Sequence, residues 1–143
     1  MLAKRTDLGS IPFGLGVAKQ DLVKGRVVKL DTKTNEVDYA TKDDEAFGFC
    51  TYRIEVPEGG DIKDHDTIPK GKRPVVYTLV NGNIWLTTEV EGIDQLKKGD
   101  ALTVGAEGKL KKGSPAGDKA PLFTVNEVEN VGSFPAVSVL IQR

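Results

Sequence analysis

The sequence predicts an all-β protein, a small β-barrel or sandwich of about eight short antiparallel strands with an extended N-terminal arm. Three observations predict this class. Glycine and proline, at 16 and 7 of the 143 residues, break the chain at short intervals. Between these breaks apolar and polar residues alternate with a period of two, as in half-buried strands. No segment carries the pattern of a three-turn helix, and short strands at regular spacing are typical of barrels and sandwiches.

The length and the charge limit the class of protein. A chain of 143 residues fits one domain with a core of its own. The sequence contains 20 Lys and Arg residues and 21 Asp and Glu residues. The basic excess typical of nucleic-acid binders is therefore absent, and we predict no nucleic-acid partner. No apolar run reaches about 18 residues, and the first seven residues lack the apolar centre of a signal peptide, so we predict no membrane partner and synthesis in a reducing cytosol.

Residues 1–22 differ from the remainder and form the predicted arm. Glycines separate four alternating apolar side chains there: Ile11, Phe13, Leu15 and Val17. Glycine removes the strand propensity of this alternation, so we predict an extended arm over 1–22 and a β-barrel domain over 23–143. Two interpretations remain open: the arm lies across a neighbouring subunit through these four side chains, or it is a disordered terminus.

The first strands of the barrel domain follow in order. Residues 26–30 and 37–40, separated by a polar stretch, predict a strand, a turn and a returning strand. Residues 47–56 alternate, with one apolar face and one polar face. The apolar face consists of Cys50, Tyr52, Ile54 and Val56, and the polar face of Thr51, Arg53 and Glu55. The polar segment 57–73 is a long loop, of the length that is often functional.

Residues 74–90 predict a tight hairpin. Asn81-Gly82 lies between two apolar runs, and Asn-Gly favours a type I′ turn. A two-residue loop then fixes the pairing, with Leu79 opposite Ile84 and Thr78 opposite Trp85. We also expect a short helical turn at 93–98. The last predicted strands are 100–104, 109–111, 122–128 and 136–141.

Trp85 is the aromatic side chain with the strongest bearing on function. In the predicted hairpin it lies on the face away from Leu79 and Ile84. An outward Trp indicates a contact surface, which Phe13 and Phe47 could extend. The other interpretation is a Trp covered by a loop of its own chain.

Catalytic and metal-site patterns are weak in this sequence. The single cysteine, Cys50, falls on an apolar strand face, as expected for a buried small hydrophobe. The single histidine, His65, lies in the 57–73 loop beside Asp61, Asp64 and Asp66. These carboxylates could hold a hard cation, but their spacing does not match an EF-hand loop. The preferred interpretation is a solvated loop, with no metal, no cofactor and no enzymatic activity.

Several segments together resemble the capsid decoration, or cement, proteins of tailed bacteriophages. The resemblance covers roughly residues 23–143. It is carried by the segments Gly25–Val28, Tyr39–Thr41, Ala46–Gly48, Gly82–Trp85, Lys98–Leu102 and Ala136–Ile141. The arm at 1–22 and the loop at 57–73 are not part of the pattern.

The resemblance implies a virion structural protein without an active site. Such proteins are small β-barrels made in the host bacterial cytoplasm that bind the outer surface of an expanded head. The implied partner is the major capsid protein, whose neighbouring subunits the protein would bridge. Decoration proteins often occupy three-fold positions, so a homo-oligomer, and specifically a trimer, is expected. The candidate contact residues are Ile11, Phe13, Leu15, Val17 and Trp85.

A second hypothesis is a carbohydrate- or host-surface-binding accessory module of the virion. In that case Trp85 with Tyr77 or Tyr39 would form a stacking platform for sugars. A glycan array distinguishes this hypothesis from the first, because only a carbohydrate-binding module is expected to bind sugars.

Overall fold

The computed structural model describes residues 2–4, 12–13, 16–53, 66–114 and 117–143. These residues form fourteen strands and three short 3-10 helical turns, the latter at Asp43–Glu45, Ile93–Gln95 and Ala106–Gly108. The strands are β1 (Leu2–Lys4), β2 (Pro12–Phe13), β3 (Val17–Ala18), β4 (Leu22–Val23), β5 (Val27–Asp31), β6 (Glu36–Tyr39), β7 (Gly48–Arg53), β8 (Thr67–Ile68), β9 (Pro74–Thr78), β10 (Ile84–Thr87), β11 (Ala101–Val104), β12 (Leu110–Lys112), β13 (Phe123–Val131) and β14 (Phe134–Ile141). The predicted all-β class is confirmed.

Three sheets arrange these strands. The first sheet has the order β1-β10-β14-β13-β11-β12, and the second has the order β2-β9-β7-β5-β6-β3. Strands β4 and β8 form a separate two-stranded sheet. Only the β3–β6 pair is parallel within these sheets, as expected for a fold made largely of antiparallel pairs.

The second sheet is buried on both faces, because consecutive residues along its strands enter different apolar clusters. Val27 and Phe49 pack with Trp85 of the first sheet, in the core between the two large sheets. Val28 and Cys50 pack on the opposite face, under Ile68 of the two-stranded sheet. The fold is therefore layered, with a main core and a smaller second core on either side of one sheet.

This layering corrects the predicted polar face of β7. Thr51 was expected among the exposed residues, but it is buried, and its hydroxyl donates a hydrogen bond to the Val75 carbonyl at 2.7 Å. A pairing irregularity lies between Cys50 and Tyr52, where one extra residue enters the strand. Such a bulge interrupts the simple alternation on which the prediction depended.

The predicted hairpin at Asn81-Gly82 is wrong. Strand β9 pairs with β7 and β2 in the second sheet, whereas β10 pairs with β14 and β1 in the first sheet. The Asn83 N–H donates to the Val80 carbonyl at 3.1 Å, and Gly82 has a φ of 88°. Asn81 lacks the positive φ that a type I′ turn requires, so the turn passes the chain from one sheet to the other.

The described parts of the predicted arm belong to the chain's own sheets. β1 pairs with β10, β2 with β9, and β3 with β6. These pairings differ from an arm that lies across a neighbouring subunit. The division of the chain at residue 22 stays a prediction. A search of the described residues for helices finds none of the length and apolar character needed to cross a membrane.

Candidate interaction surface

The β13–β14 hairpin ends in a tight turn at Gly132-Ser133. Val131 and Phe134 are directly paired, so the loop between them has two residues. Gly132 has a φ of 62°, whereas Ser133 has no positive φ. This combination is that of a type II′ turn, whose first central position favours glycine and whose twist matches paired strands.

The tip of this hairpin presents apolar side chains to solvent. Among the described residues, Phe134 at 68% exposure and Val128 at 40% are the exposed large hydrophobics. Phe134 is paired with Val131, and Val128 with Val137. Because side chains alternate along a strand, Phe134 and Val128 lie on opposite faces of the hairpin.

A bulge sets the direction of the tip. The pairing shifts between Val125 and Glu127, where Asn126 is the extra residue. The Asn126 amide donates to the Ser138 hydroxyl at 3.2 Å, and that hydroxyl donates to the Glu127 carbonyl at 3.3 Å. Bulges change the twist of a strand and the direction of its side chains, so this one separates the buried half of β13 from its exposed half.

An open groove lies beside Phe134. Its volume is about 610 Å³. The described residues that line it are Asp66, Thr88, Glu89, Ile93, Val131, Phe134 and Pro135. Its lining therefore combines apolar side chains of the hairpin and of the 3-10 turn with the carboxylates of Asp66 and Glu89.

The segments around the groove are acidic although the whole chain is nearly neutral. Residues 83–96 and 120–141 contain five acidic residues and no Lys or Arg. The five are Glu89, Glu91, Asp94, Glu127 and Glu129. These two segments, which contribute most of the groove lining, therefore carry only negative side-chain charge.

Glu89 is held in place by a partly buried ion pair. Its Oε2 lies 3.0 Å from Nε of Arg26, and the two side chains are 19% and 13% exposed. The same guanidinium lies 5.4 Å from the centre of the Tyr39 ring, within the range of a cation–π contact. Arg26 precedes β5 and Glu89 follows β10, so this pair fixes the groove margin to both large sheets.

Of the five predicted contact residues, the structure describes the side chains of two, Val17 and Trp85. Ile11 and Leu15 lie outside the described residues, and so does the side chain of Phe13, although its backbone pairs with β9. Val17 is partly buried in β3. The assignment of these four residues to a partner contact stays a prediction.

Trp85 as an outward contact residue is wrong for this fold. Its side chain is 3% exposed and packs in the main core, with ring centres 5.9 Å from Phe49 and 5.3 Å from Tyr77. Trp85 is covered by its own chain, but by strand residues of the second sheet and not by a loop. Tyr39 is also buried, so the stacking platform expected for sugar binding is not present at these residues.

The hairpin tip is the feature that the sequence interpretation missed. Gly132-Ser133 lies between two valine-containing runs, and a Gly-Ser pair in such a position is a type II′ hairpin signal. Because Asn-Gly is a stronger hairpin signal than Gly-Ser, the sequence predicted the hairpin at residues 81–82 instead. The predicted strands 122–128 and 136–141 stop short of the tip, and Phe134 was left between them.

The interpretation of Cys50 is confirmed. It is fully buried in the second core, and burial raises the pKa of its thiol to about 12. Within residues 16–53, 66–114 and 117–143, no group of three or more metal-ligating side chains occurs. Asp61, Asp64 and His65 of the predicted solvated loop lie outside the described residues.

A second cavity, of about 230 Å³, is bounded by charged groups. It lies between the 3-10 turn at Asp43–Glu45 and the chain around Leu122. Asp43 has a structural role there, because its Oδ1 accepts hydrogen bonds from the Val104 N–H at 2.8 Å and the Thr103 hydroxyl at 3.0 Å. Lys119 and Asp44 form an exposed ion pair at the same place.

The fold is similar to a known viral structure. Over 99% of this chain and 95% of the other, it superposes on the head fiber gp8.5 N base of bacteriophage phi29, with a TM-score of 0.56 and 17% sequence identity. At this identity the likeness establishes a shared fold. No protein-family model matches the sequence, and no curated protein matches it.

Proposed function

We propose that this chain is a virion structural protein of a phage, attached to the outer surface of the head, where it stabilises the capsid by bridging neighbouring major capsid subunits. The observation that carries the proposal is the fold shared over nearly the whole chain with the base of a phage head fiber. The segments that resemble decoration proteins point in the same direction.

The surface of the chain is compatible with attachment to another protein. The all-β body has a well-packed core, and among the described residues the exposed large apolar side chains, Val128 and Phe134, lie on one hairpin. Specific protein interfaces typically bury about 1,200–2,000 Å² in total. An interface of this size across a subunit seam opposes separation of the subunits, and many copies on one particle multiply the effect.

We further propose a structural role without enzymatic activity, no nucleic-acid partner and a homo-oligomeric, trimeric form. The only thiol in the sequence is a poor nucleophile near neutral pH, because burial raises the pKa of Cys50 to about 12. The near-zero net charge is compatible with a protein partner recognised by shape. Synthesis in the host cytoplasm is compatible with a single reduced cysteine.

The test is binding to capsids of the phage that encodes the chain. Purified protein is mixed with expanded heads that lack it, the heads are pelleted, and the bound fraction is measured. Electron cryomicroscopy of the same particles then locates the added density. The expected result is saturable binding at junctions between capsid subunits, with a higher temperature of head disruption.

Unexpanded proheads and bovine serum albumin provide the controls for the particle and for the added protein. Absence of saturable binding to expanded heads contradicts attachment. Density centred on a single capsid subunit, away from any junction, contradicts bridging while leaving attachment in place. Light scattering of the free protein distinguishes a trimer of 15.4 kDa chains from a monomer.

A further inference from the structure

We propose that the groove beside Phe134 binds an extended segment of the major capsid protein that combines apolar side chains with Lys or Arg. This inference rests on the proposed function and names the surface and the partner chemistry for it. Three observations support it. Apolar side chains are exposed at the hairpin tip, acidic residues lie around the groove, and a turn, a bulge and an ion pair hold both in place.

The apolar part of the groove is formed mainly by residues of the β13–β14 hairpin. Phe134 is 68% exposed, whereas Phe47 is half-buried and Phe49 and Phe123 are fully buried. Val131 and Pro135 of the hairpin and Ile93 of the 3-10 turn also line the groove. An exposed aromatic side chain beside such a groove is the kind of residue that contributes most to protein–protein affinity.

The charge around the groove selects the partner. Asp66 and Glu89 line it, Glu89 being already paired with Arg26, and the neighbouring segments 83–96 and 120–141 contribute four further acidic residues and no basic ones. A partner segment carrying Lys or Arg complements this margin, whereas an acidic segment is repelled. Complementary charge of this kind raises the association rate and weakens in salt.

The same charge disfavours a symmetric contact between two copies of this chain. In a two-fold contact the same patch meets itself, so each acidic margin would face the other. Like charges placed opposite each other across an interface cost affinity. The groove therefore fits a different, cationic surface better than it fits its own copy.

The site is held in shape before binding. The type II′ turn fixes the tip, the Asn126 bulge fixes its direction, and the Arg26–Glu89 pair fixes one part of the margin. A surface that is ordered beforehand loses less conformational entropy on binding. An extended segment can therefore bind without rearrangement of the hairpin.

The experiment compares two exposed apolar residues, Phe134 and Val128, which lie on opposite faces of one hairpin. Phe134→Ser removes the groove side chain, and Val128→Ser is the matched control on the other face. A second pair tests charge: Asp66→Asn at the groove against Asp118→Asn at an exposed position outside the two acidic segments. Each variant is assayed for co-sedimentation with expanded heads and for binding to overlapping fifteen-residue peptides of the major capsid protein.

We expect Phe134→Ser to weaken head binding about tenfold, a loss typical of a central aromatic contact, and Val128→Ser to change it less than about twofold. Asp66→Asn is expected to weaken binding more than Asp118→Asn, and the difference is expected to shrink between 50 and 500 mM NaCl. The strongest peptides are expected to be apolar and basic.

Three results overturn the inference while the proposed function stands: wild-type protein and Phe134→Ser bind heads equally, acidic peptides bind best, or Phe134→Ser changes the oligomeric state in sedimentation velocity. The last result assigns the groove to contact between copies. Failure of the wild-type protein to bind heads overturns both proposals. Circular dichroism and thermal melting confirm that each variant is folded before it is scored.

Discussion

Nε of Arg26 lies 3.0 Å from Oε2 of Glu89, and this ion pair joins the start of β5 in the second sheet to the end of β10 in the first. The Arg26 side chain is also in contact with the Tyr39 ring. Removal of one partner leaves the other charge poorly solvated, which costs more than the pair contributes. The Arg26–Glu89 ion pair therefore stabilises the packing of the two large sheets against each other.

We expect Glu89→Gln to lower the free energy of unfolding by about 1–3 kcal/mol, because Arg26 then keeps its charge in a largely buried place with only the exposed Glu107, at 3.4 Å, as a counter-charge. Urea unfolding followed by circular dichroism measures the change. The matched control is Asp44→Asn, which breaks the exposed pair with Lys119. Exposed pairs contribute little, so equal losses in the two variants would contradict the role of Arg26–Glu89.

Asp43 fastens its 3-10 turn to β11 through two hydrogen bonds, one from the Val104 N–H and one from the Thr103 hydroxyl. We expect Asp43→Ala to cost about 1–3 kcal/mol in unfolding free energy, because the Val104 N–H loses its acceptor. Hydrogen exchange at Val104 is expected to accelerate in this variant. Asp44→Ala, one residue along the same turn, serves as the control, and unchanged exchange in Asp43→Ala would refute the contact.

Cys50 makes stability depend on pH in the alkaline range. Burial raises its pKa from 9.0 to about 12, so the folded thiol stays protonated while the unfolded thiol ionises. The stability from this group is complete below pH 9 and is lost as pH rises towards 12. Between pH 8 and pH 10 the loss from Cys50 alone is on the order of 1 kcal/mol.

The measurement for Cys50 is the difference in unfolding free energy between wild type and Cys50→Ala at pH 8 and at pH 10. Other groups titrate in both proteins, so this difference isolates the thiol. It is expected to narrow by roughly 1 kcal/mol at the higher pH. A difference that stays constant would show that Cys50 is not shielded from solvent.

Trp85 reports on the main core. Because it is 3% exposed and packs against Phe49 and Tyr77, its fluorescence is expected to be blue-shifted in the native state and to move to the red on unfolding. Iodide is expected to quench it little before unfolding. Free N-acetyltryptophanamide is the reference, and native emission at the same wavelength as this reference would contradict the burial.

Phe134 contrasts with Phe123 in the same hairpin, since Phe134 is exposed and Phe123 is fully buried. We expect Phe134→Ser to change the unfolding free energy by less than about 0.5 kcal/mol, as for a surface substitution. Phe123→Ala is expected to cost about 3–5 kcal/mol, because it leaves a cavity in the core. Thermal and urea unfolding of both variants test this, and a large loss in Phe134→Ser would place Phe134 in the fold instead of at a surface.

The local patterns of the sequence determined much of this fold. The strand, turn and returning strand around 31–35 correspond to β5 and β6, and the strands at 100–104 and 109–111 correspond to β11 and β12. The burial of Cys50 also followed from alternation alone. Alternation is a property of neighbouring residues, so it can be read without knowledge of the distant chain.

Only the tertiary structure decided which strands pair and which aromatic side chains are exposed. Asn81-Gly82 can make a turn within a sheet or a turn between two sheets, and the choice depends on β7 and β14, which are distant in sequence. That choice placed Trp85 in the core and left Phe134 at a hairpin tip. Strand partners are set by long-range packing, so the candidate surface could not be located from local patterns, whereas the all-β class could.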